Sequence, residues 1–224
     1  MISEAAAIAE QTRLSKTIIS VDHLPHPVKF IAGTDVEYDK ETDLIAGSIV
    51  VLNYETLEIV EISTHCMQVT FPYIPGLFSF RELPPLLVAY EQLQQKPDLI
   101  VCDGQGMAHP RRFGMASHLG VTIQQPTIGC GKTRLCGYFE EPAPERGAVS
   151  PLLAEDNQEV IGNVLRTQTG INPVYVSVGH MISLATATDI VLKLATSYRL
   201  PETTRIADNY GRLALEEYKK SRSL

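Results

Sequence analysis

The amino-acid sequence predicts an α/β fold with a mixed five-stranded central sheet flanked by helices. Three segments rich in β-type residues, at 28–36, 46–53 and 58–69, follow one another with short connections, as in an antiparallel meander. From residue 98 onward, short apolar runs alternate with helical segments, which indicates parallel strands joined by helical crossovers. We therefore expect three antiparallel strands followed by parallel ones.

The first half of the chain adds two helices to the meander. Residues 4–19 favour an amphipathic helix, and Pro25 and Pro27 end that region. A second helix is predicted over residues 79–95. Ser79 followed by Glu82 three positions later has the pattern of a capping box, in which both side chains satisfy free backbone N–H groups.

The second half contains the strand–helix alternation. Strands are predicted at residues 98–102 and 126–130, with a short helix at 114–119 between them and a loop at 143–150. Strands at 159–166 and 174–178, a helix at 183–198 and a C-terminal helix after Pro201 complete the chain. In such a sheet the first strand can lie beside the fourth, which would make Asp35 and Asp103 neighbours, with Glu82 reaching the same edge.

Composition indicates an ordinary globular protein and restricts its partners. The 224 residues are 44% hydrophobic and 20% charged. No apolar run approaches the roughly 20 residues that span a bilayer, and the first residues lack the basic start of a signal peptide, so we expect a cytoplasmic protein with no membrane partner. No coiled-coil or repeat pattern is present, which favours a monomer.

Charge is distributed unevenly. The net charge of −7 argues against a general nucleic-acid-binding protein. Residues 104–139, however, contain no acidic residue and four basic ones, Arg111, Arg112, Lys132 and Arg134. A cationic segment on an acidic body predicts a local phosphate-binding site with weak non-specific affinity for DNA, although chance clustering in a loop-rich segment would give the same pattern.

The segment around Asp103 carries the strongest chemical signal. Asp103 follows the apolar run at residues 98–102, and Gly104 and Gly106 follow it, so a carboxylate at a sheet edge has bare backbone beside it. His109, Arg111 and Arg112 come within nine residues of the acid. This segment suggests a nuclease. It combines a carboxylate that can hold a metal, exposed glycine backbone, and arginines suited to bidentate phosphate contacts.

Three carboxylates meeting at one edge suit metal-assisted phosphodiester hydrolysis, because hard cations such as Mg²⁺ take oxygen ligands. Asp35 follows the apolar run Phe30-Ile31-Ala32 and Asp103 follows a predicted apolar strand, which separates both from ordinary surface acids. Glu82 is the weakest of the three, since a capping box explains it without a metal.

Other candidate residues each have a structural alternative. Lys132, just after a predicted strand, could contact the scissile phosphate or remain a solvated lysine. His109 could donate to a phosphate or to the leaving group, or could be structural. Tyr73, held rigid between prolines, could insert into a base stack or pack on the core, and the backbone of Gly104 and Gly106 could contact a flipped base.

A series of short motifs, ordered along the chain, carries a family resemblance. The motifs are Ala32-Gly33-Thr34-Asp35-Val36; Pro72-Tyr73-Ile74-Pro75-Gly76 with Ser79-Phe80-Arg81-Glu82; Asp103-Gly104-Gln105-Gly106 with His109-Pro110-Arg111-Arg112; Pro126-Thr127-Ile128-Gly129 with Lys132; Gly179-His180; and Arg199-Leu200-Pro201-Glu202. With them the chain resembles the endonuclease V family, which nicks nucleic acid near deaminated bases, over most of its length.

The resemblance implies one ribonuclease H-like endonuclease domain over residues 1–224. It implies hydrolysis of the second phosphodiester bond 3′ to an inosine-type lesion in DNA, leaving 3′-hydroxyl and 5′-phosphate ends, with Mg²⁺ required and Mn²⁺ as a substitute. The implied residue roles are metal ligation by Asp35, Glu82 and Asp103, a wedge formed by Pro72, Tyr73, Ile74 and Pro75, and positions important for activity at Lys132 and His109.

One departure from the family pattern concerns the metal site. An acid that usually stands five residues after the Gly-His histidine is replaced by Ala185. Asp189 lies one helical turn later on the same face, so we expect it to substitute in part as an auxiliary acid.

Alternative functions remain open from sequence. The same fold could cleave inosine-containing RNA, or Ala185 could mark a degraded, non-catalytic nucleic-acid-binding module. An unrelated nucleotide-binding enzyme would need a helix directly after Gly106, where His109 and Pro110 interrupt.

Overall fold

The computed structural model describes residues 2–39 and 41–222. It contains eight strands and five helices in these residues. The strands are β1 (Phe30–Tyr38), β2 (Leu44–Asn53), β3 (Ile59–Gln68), β4 (Leu99–Asp103), β5 (Thr127–Gly131), β6 (Val149–Leu153), β7 (Val160–Leu165) and β8 (Val174–His180). The helices are α1 (Glu4–Leu14), α2 (Phe78–Gln92), α3 (Met115–Ile123), α4 (Leu184–Leu194) and α5 (Glu202–Arg222), with a 3-10 helix, Ser15–Thr17, after α1.

All eight strands belong to one mixed sheet in the order β3-β2-β1-β4-β5-β8-β7-β6. The predicted α/β fold and the antiparallel β1–β2–β3 meander are confirmed, and β1 lies parallel to β4, as does β4 to β5. The predicted count of five strands is wrong. Strands β8, β7 and β6 extend the sheet with antiparallel pairing, and β6 forms at the end of the segment expected to be a loop.

The sheet is covered on both faces. One apolar cluster joins the α4 and α5 side of the sheet, with Val101, Ile128 and Val176 fully buried, and another joins the α2 and α3 side, with Ile49, Ile100 and Leu119 fully buried. Burial on both faces explains why the central strands have continuous apolar sequences. No helix in the described ranges is both long enough and apolar enough to cross a membrane.

Helix α2 begins differently from the prediction, and the expected capping box is wrong. The residue before the helix is Leu77, which makes no side-chain capping bond, and Ser79 lies inside the first turn. Ser79 Oγ instead lies 3.0 Å from Nδ1 of His118 on α3, and Glu82 accepts a hydrogen bond from Tyr38. Tertiary partners therefore replaced the local pairing that the sequence pattern favoured.

Helix α5 packs unusually close to β1. A Cβ atom added at Gly33 would lie 2.1 Å from the backbone oxygen of Thr203, and one added at Gly211 would lie 3.3 Å from Cγ of Glu37. The buried face of α5 carries small residues at these approach points, including Ala207. Because Gly33 and Gly211 have no side chains, the helix backbone packs directly against the strand.

Candidate active site

Asp103, the last residue of β4, lies at the centre of a group of charged side chains. Pairing of Thr34 with Cys102 in the parallel β1–β4 ladder places Asp35 beside Asp103, as predicted. Burial, a hydrogen bond to Asp103 and the charge of Asp103 together raise the pKa of Asp35 far above its usual range. Two carboxyl groups can share such a bond only when one is protonated, so this pair favours either a proton or a cation between them.

A compact acidic cluster extends from Asp35 toward α5. Oxygen atoms of Asp35, Glu37 and Asp208 all lie within 4.8 Å of one another. Glu37 follows Asp35 by two residues on β1 and therefore shares its face of the sheet. Burial and the nearby Asp208 raise the pKa of Glu37, while Arg212 pairs with Asp208 at 2.8 Å.

Sequence reasoning missed Asp208 and Glu37. The usable signal was the spacing of small residues on α5, Thr203, Ala207 and Gly211, which predicts a close helix–sheet contact and brings the adjacent Asp208 onto β1.

Glu82 approaches the same edge from α2. Its Oε1 atom accepts a 2.8 Å hydrogen bond from the Tyr38 hydroxyl group. Burial raises the pKa of Glu82 to about 7; the Tyr38 bond opposes the shift and the charge of Asp103 adds to it. In the described residues, Glu82 is outside the 4.8 Å cluster but lines the same cavity as Asp103.

Lys132 supplies the positive charge of the site. It follows β5 directly, and its Nζ atom forms a short ion pair with Oδ2 of Asp103. The lysine side chain is 41% exposed and the Asp103 side chain 15%, so the ammonium group lies at the solvent side of the pair. Although burial disfavours the charged form, the hydrogen bond with Asp103 raises the pKa of Lys132.

His109 and Arg111 hydrogen-bond to neighbouring protein groups, and His109 also lines the cavity that Asp103 lines. His109 Nε2 lies 3.1 Å from Gly76 O, and its Nδ1 accepts a 3.1 Å bond from the Arg111 backbone. Gly76 O also accepts hydrogen bonds from Arg111 Nη2 at 2.7 Å and from Gln11 Nε2 at 3.0 Å. Burial, followed by the charge of Arg111, lowers the pKa of His109 to about 4, so the ring is neutral.

Arg112 also has protein partners. Its guanidinium group pairs with Asp156 and Glu159, each at 3.1 Å. The expected pair of phosphate-binding arginines is therefore engaged in intramolecular contacts, Arg111 at Gly76 and Arg112 at the two acids.

The segment before α2 projects Tyr73 into solvent. The Tyr73 side chain is 69% exposed, with its ring 4.8 Å from that of Phe78 in an edge-on arrangement. Pro72 and Pro75 are also exposed, and Ile74 is half-buried against Phe71 and Leu77. The alternative in which Tyr73 packs on the core is thus wrong, and the segment has the exposed aromatic tip that a wedge requires.

A cavity of about 320 Å³ lies beside Asp103, between this segment and the loop after β5. Its walls include Phe78, Glu82, Gly104, Lys132 and Leu135. Gly104 adopts φ of +152°, and a Cβ atom added there would make one ordinary contact, with Met115 Cβ at 3.5 Å.

Gly106 has a different environment from Gly104. Its N–H donates to Ser177 Oγ at 2.9 Å, and its carbonyl accepts from Gly114 N at 2.9 Å. Only Gly104 of the two glycines therefore has a surface on the cavity.

Asp189 is on the exposed face of α4, as is Ala185. Helix α4 packs on β7 and β8, whereas the acidic cluster within the described ranges draws its members from β1 and α5. The structure therefore does not bring Asp189 together with Asp35; the helical acid that lies beside Asp35 is Asp208.

Comparison with known proteins supports one family. The Endonuclease V family profile matches residues 12–209. A protein named Endonuclease V from Rippkaea orientalis is 51% identical over 207 residues, covering 92% of this chain and 88% of that one. Another from Nostoc punctiforme is 48% identical over 202 residues, covering 90% of each.

Solved structures show the same fold. The Endonuclease V of Streptomyces avermitilis is 45% identical and superposes with a TM-score of 0.92 over 98% of this chain and 96% of that one. The Endonuclease V of Ciona intestinalis, solved in complex with a 24mer DNA containing an inosine followed by a ribo-adenosine, is 29% identical, with a TM-score of 0.82 over 94% of this chain and 96% of that one. These structures confirm the predicted ribonuclease H-like architecture.

Proposed function

This chain belongs to the endonuclease V family, and we propose that it nicks inosine-containing DNA at the second phosphodiester bond 3′ to the deaminated base. The products would carry 3′-hydroxyl and 5′-phosphate ends. The observation that carries the proposal is the setting of Asp103, which contacts Asp35 and Lys132 and lines a cavity together with Glu82.

The donor set fits a divalent cation. Asp35, Asp103 and Asp208, with Glu37 and Glu82 nearby, offer only carboxylate oxygens, which suit Mg²⁺ and also Mn²⁺. Burial and, after it, the neighbouring Asp103 raise the pKa of Asp35, and a bound cation would offset both effects. When bound, such an ion would neutralise charge on the phosphate and lower the pKa of a coordinated water.

The chain's own residues account for substrate placement. The Lys132 ammonium group, which pairs with Asp103 and belongs to the more exposed side chain of the two, would donate to a phosphate oxygen as negative charge develops. The exposed Tyr73 ring would fill the gap in the base stack. The cavity of about 320 Å³ is near the lower end of ligand pockets, about 300–1,000 Å³, which suits a single extruded base.

Cleavage of an end-labelled duplex with one deoxyinosine tests the proposal. With Mg²⁺ or Mn²⁺, we expect one cut at the second bond 3′ to the lesion and none in the undamaged duplex. Asp35→Asn should lose the cut, whereas Asp156→Asn, the same change at an exposed acid outside the cluster, should retain it. Cleavage confined to inosine-containing RNA, or binding without cleavage in either nucleic acid, would contradict the proposal.

A further inference from the structure

The position of the Lys132 ammonium group depends on a main chain that is held from both sides. A lysine side chain has four flexible carbons, so its charge is well placed only where its backbone is fixed. On one side, Arg199 Nη2 donates a short hydrogen bond to Lys132 O and a 2.9 Å bond to Pro173 O. The other side is held by Gln105.

The Gln105 carboxamide group contacts the residues before and after Lys132. Its Nε2 donates a 2.9 Å hydrogen bond to the backbone oxygen of Thr133. The group also lies flat against Gly131, because a Cβ atom added there would be 2.0 Å from Nε2 and 2.8 Å from Cδ. Since a carbonyl oxygen only accepts, the amide orientation is settled by the Thr133 contact.

These contacts close a small ring. Asp103 and Gln105 are two residues apart in one loop; the carboxamide group reaches Thr133, and the neighbouring Lys132 returns through its ammonium group to Asp103. The Oε1 atom of Gln105 is buried and has no hydrogen-bond partner among the described residues. A buried unpaired carbonyl destabilises a fold, so the amide is poorly explained by stability alone.

We propose that Gln105 is a positioning residue that fixes the Lys132 ammonium group against Asp103 for phosphate contact. The inference rests on the proposed function, because it takes Lys132 as the group that faces the phosphate. Gln105 also lines the cavity beside Asp103, and the role proposed for it acts through the backbone on either side of Lys132.

A double-mutant cycle tests this role. Gln105→Met keeps the length of the side chain and removes the donor. We expect it to lower kcat for inosine DNA about tenfold with little change in KM, because a small misplacement of a reacting group is costly. Lys132→Met should lower kcat about a hundredfold. The double variant should be no slower than Lys132→Met, because Gln105 would have nothing left to position.

Gln168→Met is the matched control. Gln168 is also half-buried and donates to a backbone carbonyl, Ala195 O at 2.9 Å, away from the site. It should leave kcat unchanged, and thermal unfolding of both glutamine variants would identify a general loss of structure. An undiminished kcat in Gln105→Met, or a further tenfold loss in the double variant, would overturn the inference.

A second readout does not depend on cleavage. In metal-free protein with ¹³C-methylated lysines, the Lys132 NMR signal can be assigned by its loss in Lys132→Met. Gln105→Met should move that signal toward the position of freely solvated lysines, and Gln168→Met should not. If the wild-type protein failed to cut inosine DNA while this shift occurred, the proposed function would be wrong but the positioning by Gln105 would stand. If the Lys132 signal did not move in Gln105→Met, the positioning itself would be contradicted.

Discussion

Two regions of the site differ in whether their polar groups are satisfied within the protein. In the acidic floor, formed by Asp35, Glu37, Asp103 and Asp208, burial and the neighbouring carboxylates raise the pKa of Asp35 and Glu37. In the Gly76 anchor, formed by Gly76 with Gln11, His109 and Arg111, one carbonyl accepts three hydrogen bonds. The anchor is complete without an outside group, whereas the carboxylates of the floor favour a bound proton or cation between them. The segment that ends at Gly76 is therefore held by hydrogen bonds within the protein, independently of what binds at the acidic floor.

The largest effect is expected for Asp35→Asn, which tests the difference between the acidic floor and the Gly76 anchor. We expect a loss of nicking of about a thousandfold or more, because a central carboxylate is gone. In metal-free protein at pH 8, the same change should increase the free energy of unfolding by about 1–3 kcal/mol, since it removes a buried, crowded charge.

The sign of that gain follows from the raised pKa of Asp35. A raised pKa contributes stability at low pH that is lost as the pH rises through the folded-state value. The gain in Asp35→Asn should therefore disappear below about pH 4, near the unfolded-state pKa. Urea unfolding in EDTA at both pH values measures it, and equal or lower stability of the variant at pH 8 would show that the floor is not strained.

Two matched substitutions test whether Asp208 or Asp189 belongs to the acidic floor. Asp208→Asn should raise the Mg²⁺ concentration needed for half-maximal nicking about tenfold to a hundredfold, because its oxygen belongs to the cluster. Asp189→Asn, on the exposed face of α4, should leave it unchanged. Metal titrations of the two variants compare them, and the reverse result would restore Asp189 as the auxiliary acid.

The Gly76 anchor should respond to His109→Phe through stability. Losing the ring nitrogens leaves the Arg111 amide without its acceptor, so the free energy of unfolding should fall by about 1–3 kcal/mol at pH 7. Because the pKa of His109 is lowered to about 4, wild-type stability should also decline as the pH falls from about 6.5 toward 4. His118 has the same lowered pKa, so His109→Phe should reduce this decline without abolishing it. Chemical unfolding across this pH range measures the effect. If the free energy of unfolding of the variant fell with pH as steeply as that of the wild type, the lowered pKa of His109 would be contradicted.

The smallest expected effect is at the exposed tip of the anchored segment. Tyr73→Ala should reduce nicking of inosine DNA about tenfold and change the free energy of unfolding by less than about 0.5 kcal/mol, because the ring is 69% exposed. Tyr198→Ala, at a tyrosine that is 55% exposed outside the site, serves as the comparison. Equal effects of the two substitutions on nicking would argue against a wedge.

The acidic floor was only partly predictable from sequence. Asp35 and Asp103 each end or interrupt an apolar strand, and parallel pairing made them neighbours. Asp208 lies on a helix whose local sequence shows no chemical motif, and it reaches the site only because Gly33 and Gly211 allow α5 to approach β1. The small residues on α5 indicate a close packing contact, but their spacing does not reveal which strand the helix contacts.

The Gly76 anchor shows a second limit. Basic residues near glycines suggested phosphate contacts for Arg111 and Arg112, yet the direction of a long side chain depends on which acceptors the fold brings near it. Ser79 and Glu82 matched a capping pattern, but His118 and Tyr38 provided partners from other elements. In each case the residue type was informative and its partner was set by tertiary structure.

The tight seating of α5 on β1 also has a consequence for the order of assembly. Asp35 lies on an early strand and Asp208 on the helix that follows all eight strands, so the acidic cluster is complete only after the ends of the described chain have met. Contacts between distant segments form late because their loop-closure entropy is large. A partly folded or nascent chain would therefore lack Asp208 at the site. Nuclease activity would appear only once the fold is complete.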